Sequence, residues 1–189
     1  MTALSEDLLW LLLEDNTGAL LVDRPRLSHV LGVAVHLDTT GPAVVSKTSA
    51  STRPARIPRA TRAQQKMLLA SLVAEGRVCQ MPACRWAMAP AWRWPTLDIP
   101  AKTALRQDLQ RSLFDAHPPT PRHAVLIALL RAVDTLEHQC PGWRRCEVRR
   151  AATAIETRPE CHAAAHILRH AQQDTYATSF SGGIQPWFR

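Results

Sequence analysis

Basic side chains at regular spacing between residues 53 and 66 offer the clearest chemistry in this sequence. Every third position carries an arginine, and a lysine follows four residues after the last one: Arg53, Arg56, Arg59, Arg62 and Lys66. If a helix begins near Pro58, then Arg59, Arg62 and Lys66 share one of its faces. Guanidinium groups bind phosphate oxygens in a bidentate fork, and each basic residue beside an anionic bilayer adds about 1 kcal/mol of attraction. The segment therefore predicts a surface for phosphate-bearing lipid headgroups, with a solvated basic face as the alternative.

Indole and guanidinium side chains alternate along the proline-rich segment that follows: Trp86, Trp92 and Trp94 with Arg85 and Arg93. Prolines and small residues there predict a β-hairpin over residues 77–95. Such an arm suits a membrane interface, or the stacking of single-stranded nucleic acid. It also suits packing against its own core or another subunit, and the sequence leaves these readings open.

Metal and catalytic chemistry find little support in the sequence. Three histidines recur every fourth residue beside a cysteine: His162, His166, His170 and Cys161. A zinc site needs a third or fourth ligand, which Cys140, Cys146 or His138 would supply only by a tertiary coincidence. There is no nucleophile elbow, no HExxH, and no phosphate-cradling loop among the 7 glycines. We expect a protein without metal, cofactor or enzymatic activity.

The charge distribution points to an anionic partner. The chain of 189 residues has a formal charge of +7, but residues 1–40 hold six acids and two arginines. Residues 41–77 hold seven basic residues and one glutamate. With no basic residue before the first apolar run, no long apolar span and an odd count of 5 cysteines, we expect a cytoplasmic chain with reduced thiols.

One segment is apolar on nearly every side and predicts the centre of the fold. Pro121–His138 begins after the N-cap candidate Thr120 and runs from Ala124 to Leu130 without a polar residue. The sequence therefore predicts an all-α protein whose helices pack around this central buried helix, with one projecting β-hairpin. We expect a single domain over residues 1–178, with an exposed loop at 47–58 and a loose tail at 179–189.

The surrounding helices are predicted from apolar periodicity and capping residues. The first begins at the N-cap candidate Ser5 and stops near Asp15. The remaining helices are predicted at Leu27–Leu37, Arg59–Glu75, Ala101–Asp115, Trp143–Glu156 and Pro159–Tyr176. In Arg59–Glu75 the expected buried side chains are Met67, Leu68, Leu72 and Val73, and Gly76 is expected to end the helix.

The ordered set of segments from about Leu4 to Ala171 resembles the Golgi phosphoprotein 3 family, particularly its short bacterial members. The segments that carry the resemblance are LSEDLLWLLLEDNTGALLVD, a helix ending in HLD, LLASLVAEGRV, RWPTLD, PPTPRHAVLIALLRAVDTLEH and VRRAATAI. The resemblance implies an all-helical fold with a central buried helix and one β-hairpin. Eukaryotic members are non-enzymatic peripheral membrane proteins that bind phosphatidylinositol 4-phosphate and tether Golgi glycosyltransferases, and their hairpin is implicated in oligomerisation and membrane association.

The family's lipid pocket uses a tryptophan, an arginine and two basic residues three apart. Aligned on the turn glycines, those positions fall in order on Asp23, on Leu31 or Gly32, on Arg62 and on Gln65. Arg62 matches, and Lys66 stands beside Gln65. The resemblance thus implies a headgroup site at Arg62 with Arg59 and Lys66 as neighbours, and a membrane or oligomer contact at Trp86, Trp92 and Trp94.

Taken together, these observations predict a non-enzymatic, cytoplasmic protein that associates peripherally with membranes through anionic headgroups. By resemblance the headgroup is phosphatidylinositol 4-phosphate. The alternative is an adaptor module that has lost specific lipid binding and assembles through its hairpin, as a homo-oligomer or with a protein client. No nucleic-acid partner is expected.

Overall fold

The computed structural model describes residues 3–40, 59–82, 92–115 and 119–156. Six α-helices lie in these ranges: α1 Leu4–Leu11, α2 Arg24–Thr40, α3 Arg62–Ala74, α4 Ile99–Phe114, α5 Pro121–Ala132 and α6 Arg145–Glu156. A short 3₁₀ helix covers Leu136–Gln139, and the strands β1 Met81–Pro82 and β2 Trp92–Arg93 form an antiparallel pair. The described part of the chain is therefore predominantly α-helical with one small hairpin, as the sequence predicts.

Helix α1 is buried along almost its whole length, because leucine and tryptophan occupy nearly every position from Leu8 to Leu11. It packs against α2, α3 and α5. The prediction that Ser5 is its N-cap is wrong, since the helix already begins at Leu4. The Asp38 carboxylate, near the end of α2, accepts the Leu4 N–H at 2.8 Å and the Ser5 N–H at 2.9 Å. A side chain from another helix therefore caps α1, and a local motif could not reveal it.

The other end of α1 is closed by side chains from later in the chain. The predicted extension to about Asp15 is wrong, because the helix ends at Leu11 and Leu13 pairs with Leu20 in an isolated β-bridge. The Gln139 amide donates to the Leu11 carbonyl at 3.0 Å, and the Lys102 ammonium donates to the Leu13 carbonyl at 2.7 Å. These bonds satisfy carbonyls that the end of the helix leaves without partners.

The predicted central helix exists as α5, and its residues from Ala124 to Leu130 are all buried. Thr120 is its N-cap and accepts the His123 N–H at 3.2 Å. The predicted extension to His138 is wrong. Asp134 takes a left-handed backbone conformation with φ of 57°, which turns the chain after Ala132. The Thr135 N–H then donates to the Leu130 carbonyl at 3.0 Å and closes the helix end.

Helix α3 differs from its prediction at its start and in its buried side. It begins at Arg62 rather than at Arg59, because Thr61 is the N-cap and forms a capping box with Gln64. Leu72 is fully buried, but Met67 is 71% exposed and Val73 is exposed too. The helix lies at the edge of the fold and covers the core with a narrower face than predicted. Gly76 ends it, with φ of 72°, which confirms that prediction.

The hairpin is anchored to the turn that follows α1. β1 pairs with β2 in the register Met81 with Arg93, and Val78 and Thr96 form a bridge below them. The Trp94 N–H donates to the Gly18 carbonyl at 3.2 Å. Gly18 has φ of 63°, and a Cβ there would come within 2.1 Å of the Trp94 backbone. The contact therefore requires glycine.

Several predictions lie outside the described residues: the 47–58 loop, the Pro159–Tyr176 helix with its three histidines, the 179–189 tail and Trp86. Within the described ranges, no helix has both the length and the apolar character needed to cross a bilayer.

Two glycine substitutions separate the close approach at Gly18 from the cost of a left-handed backbone alone. At Gly76, where φ is also positive, an added Cβ meets nothing within 4 Å. We expect Gly76→Ala to lower the free energy of unfolding by about 1 kcal/mol. Gly18→Ala should cost about 3 kcal/mol or more, because the hairpin backbone must also move. Urea denaturation followed by circular dichroism measures both, and equal losses would contradict the packing argument.

Candidate lipid-binding surface

The predicted basic surface lies where the chain enters α3. Arg62 is the first residue of the helix and Lys66 is one turn later, so both lie on one face. Arg59 precedes the N-cap, and its predicted place on the same helical face is wrong because the helix starts later. It lies instead in the segment before the helix, where it is exposed and precedes the buried residue Ala60.

The start of α3 is held against α2 through Ser28. The Ala60 N–H donates to the Ser28 carbonyl at 2.8 Å, and the Gln65 amide donates to the Ser28 hydroxyl at 2.9 Å. The Ala60 backbone before Arg62 and the Gln65 side chain after it are thus both hydrogen-bonded to Ser28 of α2. This attachment fixes where the basic side chains leave the protein surface.

The three predicted headgroup-binding side chains are exposed and available. Arg59, Arg62 and Lys66 are all solvent-exposed, and among the described residues none of them forms an ion pair. Two other arginines are occupied, because Arg77 and Arg122 both bind the buried Asp7 carboxylate, at 3.0 and 2.6 Å. The exposed Met67 follows Lys66 directly, so an apolar side chain adjoins the cationic ones.

Positions that the family uses for lipid have structural roles in this chain. The Asp23 carboxylate accepts the Arg26 N–H at 2.9 Å, so it caps the start of α2. Leu31 and Gly32 are buried inside the same helix. Gln65 holds α3 to Ser28, as described above. Among the aligned positions, only Arg62 presents a positive charge to solvent, because Asp23 is exposed but acidic.

The structure separates the hairpin tryptophans that it describes. Trp92 is 47% exposed on β2, opposite Pro82. Trp94 is half-buried and packs against the core, at the point where its N–H meets Gly18. Trp92 is therefore available for an external contact, whereas Trp94 has an internal packing role.

Four of the six acids among the first forty residues have partners elsewhere in the fold. The Glu6 carboxylate accepts the Ser71 hydroxyl at 2.6 Å, and Asp7 lies between two arginines. Asp38 caps α1, and Asp15 binds cations from α4. These four carboxylates are therefore used in the fold itself, whereas Glu14 and Asp23 remain exposed.

A buried ionic cluster that the sequence analysis missed joins α4 to the end of α1. Lys102 is fully buried, and its ammonium lies 2.7 Å from the Asp15 carboxylate. The Arg106 guanidinium binds the same carboxylate through two bonds of 2.6 and 3.0 Å, and its Nε donates to Gln139 at 2.8 Å. A lysine and an arginine four apart are ordinary on a solvated helix face, so no local signal marks them as buried.

The surroundings of the cluster shift the pKa values of Lys102 and Asp15. Burial lowers the pKa of Lys102 to about 8, although the Asp15 carboxylate acts in the opposite direction. Burial alone would raise the pKa of Asp15, but hydrogen bonds from Arg106 and Lys102 outweigh it and the pKa lies below its ordinary value. The enclosing side chains belong to the core, which indicates a structural ion pair.

Cysteine and metal chemistry have little basis in the described ranges. Cys79, Cys140 and Cys146 are free thiols, and burial raises the pKa of Cys140 to about 11, so its reactive thiolate form is disfavoured. No group of three histidine, cysteine or acidic side chains that could hold a metal occurs in the part of the chain that the structure describes.

Comparison with known protein families gives a match over most of the chain. A family model described as Golgi phosphoprotein 3 (GPP34) matches residues 40–175, which include α3, the hairpin and α4 to α6. A search of curated proteins finds no match. The matched range contains the entire candidate surface.

The lowered pKa of Lys102 predicts how stability changes with pH. Between about pH 8 and 10.5 the unfolded chain holds a proton that the folded chain has lost, so folding becomes more favourable as pH rises. Relative to Lys102→Met, the wild type should gain on the order of 2 kcal/mol between pH 7 and pH 10. Urea denaturation at a series of pH values tests this. Taking the difference in unfolding free energy between the two proteins cancels the contributions of other titrating groups, such as Cys140. If that difference does not change with pH, the prediction is wrong.

Proposed function

Because the chain belongs to the Golgi phosphoprotein 3 family, we propose that it is a non-enzymatic, cytoplasmic, peripheral membrane protein that binds anionic lipid headgroups. One observation carries the proposal. Three basic side chains are exposed, close together in the chain and without carboxylate partners among the described residues: Arg59, Arg62 and Lys66. Of these, Arg62 falls on a position that is basic in the family. Unpaired cations on a fixed surface attract lipid phosphates at little desolvation cost.

The local backbone supports a phosphate at the same place. The capping box uses the Gln64 N–H, but the N–H groups of Arg62 and Ala63 have no acceptor among the described residues. The positive end of a helix favours anions, and here it coincides with the Arg62 guanidinium. Met67 would enter the apolar edge of the bilayer interface while Lys66 stays among the phosphates.

The proposal concerns anionic headgroups in general rather than phosphatidylinositol 4-phosphate alone. Asp23 and Gln65 take the places of an aromatic and a basic residue of the family pocket, and both have internal hydrogen bonds. We therefore expect charge density to govern binding, with only a small preference for the phosphoinositide over other anionic lipids at equal charge.

Liposome co-sedimentation tests the surface. We expect binding to vesicles containing phosphatidylserine or phosphatidylinositol 4-phosphate at matched charge, and none to neutral vesicles. Arg62→Ala should weaken anionic binding about fivefold, since one charge contributes about 1 kcal/mol.

The matched control is Arg150→Ala, which removes an exposed arginine from α6 that has no ion pair among the described residues. Equal weakening by both variants would show a diffuse charge effect and remove the site assignment. A strong preference for the phosphoinositide would instead mean that a specific pocket persists around Arg62.

A second candidate function is an interaction module that assembles through the hairpin. The observation that favours it is a group of exposed apolar side chains on and beside the hairpin, each about half exposed: Met81, Trp92, Leu97 and Ile99. Contiguous exposed apolar residues are typical of protein interfaces. The partner would be a second copy or a protein client, and lipid binding would be weak.

Sedimentation velocity distinguishes this second function. A hairpin-mediated oligomer should dissociate toward monomer in the Trp92→Ser variant, because the substitution removes an exposed indole from the interface. Met67→Ser, which changes a 71% exposed residue on α3, should leave the oligomer unchanged. A wild-type monomer at all concentrations would contradict assembly by this route.

A further inference from the structure

A small open cavity lies on a surface that the proposed function does not use. Its volume is about 270 Å³, and its lining residues are Gln107, Gln110, Arg111, Phe114, Asp115 and Trp143. The first five lie along one side of α4 and its C-cap, with the helical spacing that places residues on one face. Trp143 faces them from the segment before α6.

One wall of the cavity is a fixed aromatic surface. The rings of Phe114 and Trp143 stack with centroids 3.7 Å apart and planes inclined by 8°. Trp143 nevertheless remains 46% exposed, so the stack holds the indole in place without covering it. A flat, exposed indole supported from behind suits a planar group or a cation.

Two acceptors lie among the polar groups that line the cavity, beside the Gln107 amide and the Arg111 guanidinium. The Gln110 Nε2 donates to the Gln139 carbonyl at 2.8 Å, which leaves Gln110 Oε1 as its unused polar atom. The Asp115 carboxylate has no side-chain partner among the described residues. Arg111 is already paired with Asp108 at 3.0 Å, so its charge is offset within α4.

We propose that this cavity binds a guanidinium group. A guanidinium is planar and cationic and carries five N–H donors, so it can stack on Trp143 while it donates to Asp115 and to Gln110 Oε1. An ammonium lacks the flat surface, and the Asp115 carboxylate disfavours a phosphate, because the charge of Arg111 is already paired with Asp108. The ligand is either a small guanidino compound or an arginine side chain of a polypeptide. The proposal is independent of lipid binding at Arg59, Arg62 and Lys66.

Nuclear magnetic resonance titration tests the site with N-acetyl-L-arginine amide and with a short peptide that contains one arginine. The Trp143 indole N–H signal, assigned by its loss in Trp143→Phe, should shift and saturate with a dissociation constant on the order of 1 to 10 mM. The lysine analogue and the neutral citrulline analogue should bind more weakly. Equal affinity for the amide and the peptide identifies a small guanidino compound, whereas tighter peptide binding identifies a polypeptide.

Surface variants make the assignment specific. Trp143→Ala and Asp115→Asn should each weaken arginine binding about fivefold, and Trp143→Phe should retain most of it because it keeps an aromatic face. Trp92→Ala, with an indole of nearly equal exposure, and Asp134→Asn are the matched controls. None of these variants should change liposome binding, except Trp92→Ala if the hairpin enters the membrane.

Three results would overturn the proposal: no saturable shift with either ligand, equal binding of the citrulline analogue, or a larger shift with a nucleoside monophosphate, which would indicate an anion site. Asp115→Asn replaces only one carboxylate oxygen of an exposed side chain by an amide group. Arginine binding by this variant can therefore be measured even if Trp143→Ala proves unstable.

Discussion

Burial of helix α1 on almost every side imposes the main constraint on this fold. A helix enclosed in this way cannot leave its terminal N–H and C=O groups to water, and each unsatisfied buried group would cost about 1–3 kcal/mol. Asp38 therefore caps its beginning, and Gln139 and Lys102 serve the carbonyls at and after its end. These three side chains come from α2, the 3₁₀ helix and α4, so satisfying α1 also places the elements around it.

The same constraint explains the buried ion cluster. Lys102 reaches the Leu13 carbonyl only by entering the core, where its charge would be unfavourable alone. Asp15 supplies the opposite charge, and Arg106 balances the remaining oxygen of that carboxylate while it also holds Gln139. The cluster thus follows from the need to close one helix end. The Asp15 carbonyl also accepts the Thr96 N–H at 2.9 Å, which connects the cluster to the base of the hairpin.

Features that depend on neighbouring residues could be predicted from the sequence, and features that depend on distant ones could not. Thr120 and Gly76 were correctly identified as helix boundaries, because a cap and a left-handed glycine act within one turn. The cap of α1 was misassigned to Ser5, since Asp38 lies a whole helix away. Met67 was expected in the core from its spacing, but apolar periodicity does not show how many neighbours a helix has.

The candidate surface divides in the same way. The spacing of Arg62 and Lys66 predicts their common face, whereas the position of Arg59 depends on the Thr61 capping box. The paired cations of the Asp15 cluster carry no local mark, because their partner lies far along the chain. An exposed lysine and a buried one have the same appearance in the sequence.

Two residues that depart from the family's lipid-binding pattern have structural roles of their own. Asp23 caps the start of α2. Gln65, from α3, donates a hydrogen bond to Ser28, which lies in the first half of α2. Gln65 thus strengthens the contact between α2 and α3, whereas the Asp23 bond stabilises the start of α2 alone. Arg62 and Lys66 meanwhile remain exposed on the outer side of α3. Any headgroup contact in this region therefore falls on outward-facing side chains, for which charge and exposure matter more than shape.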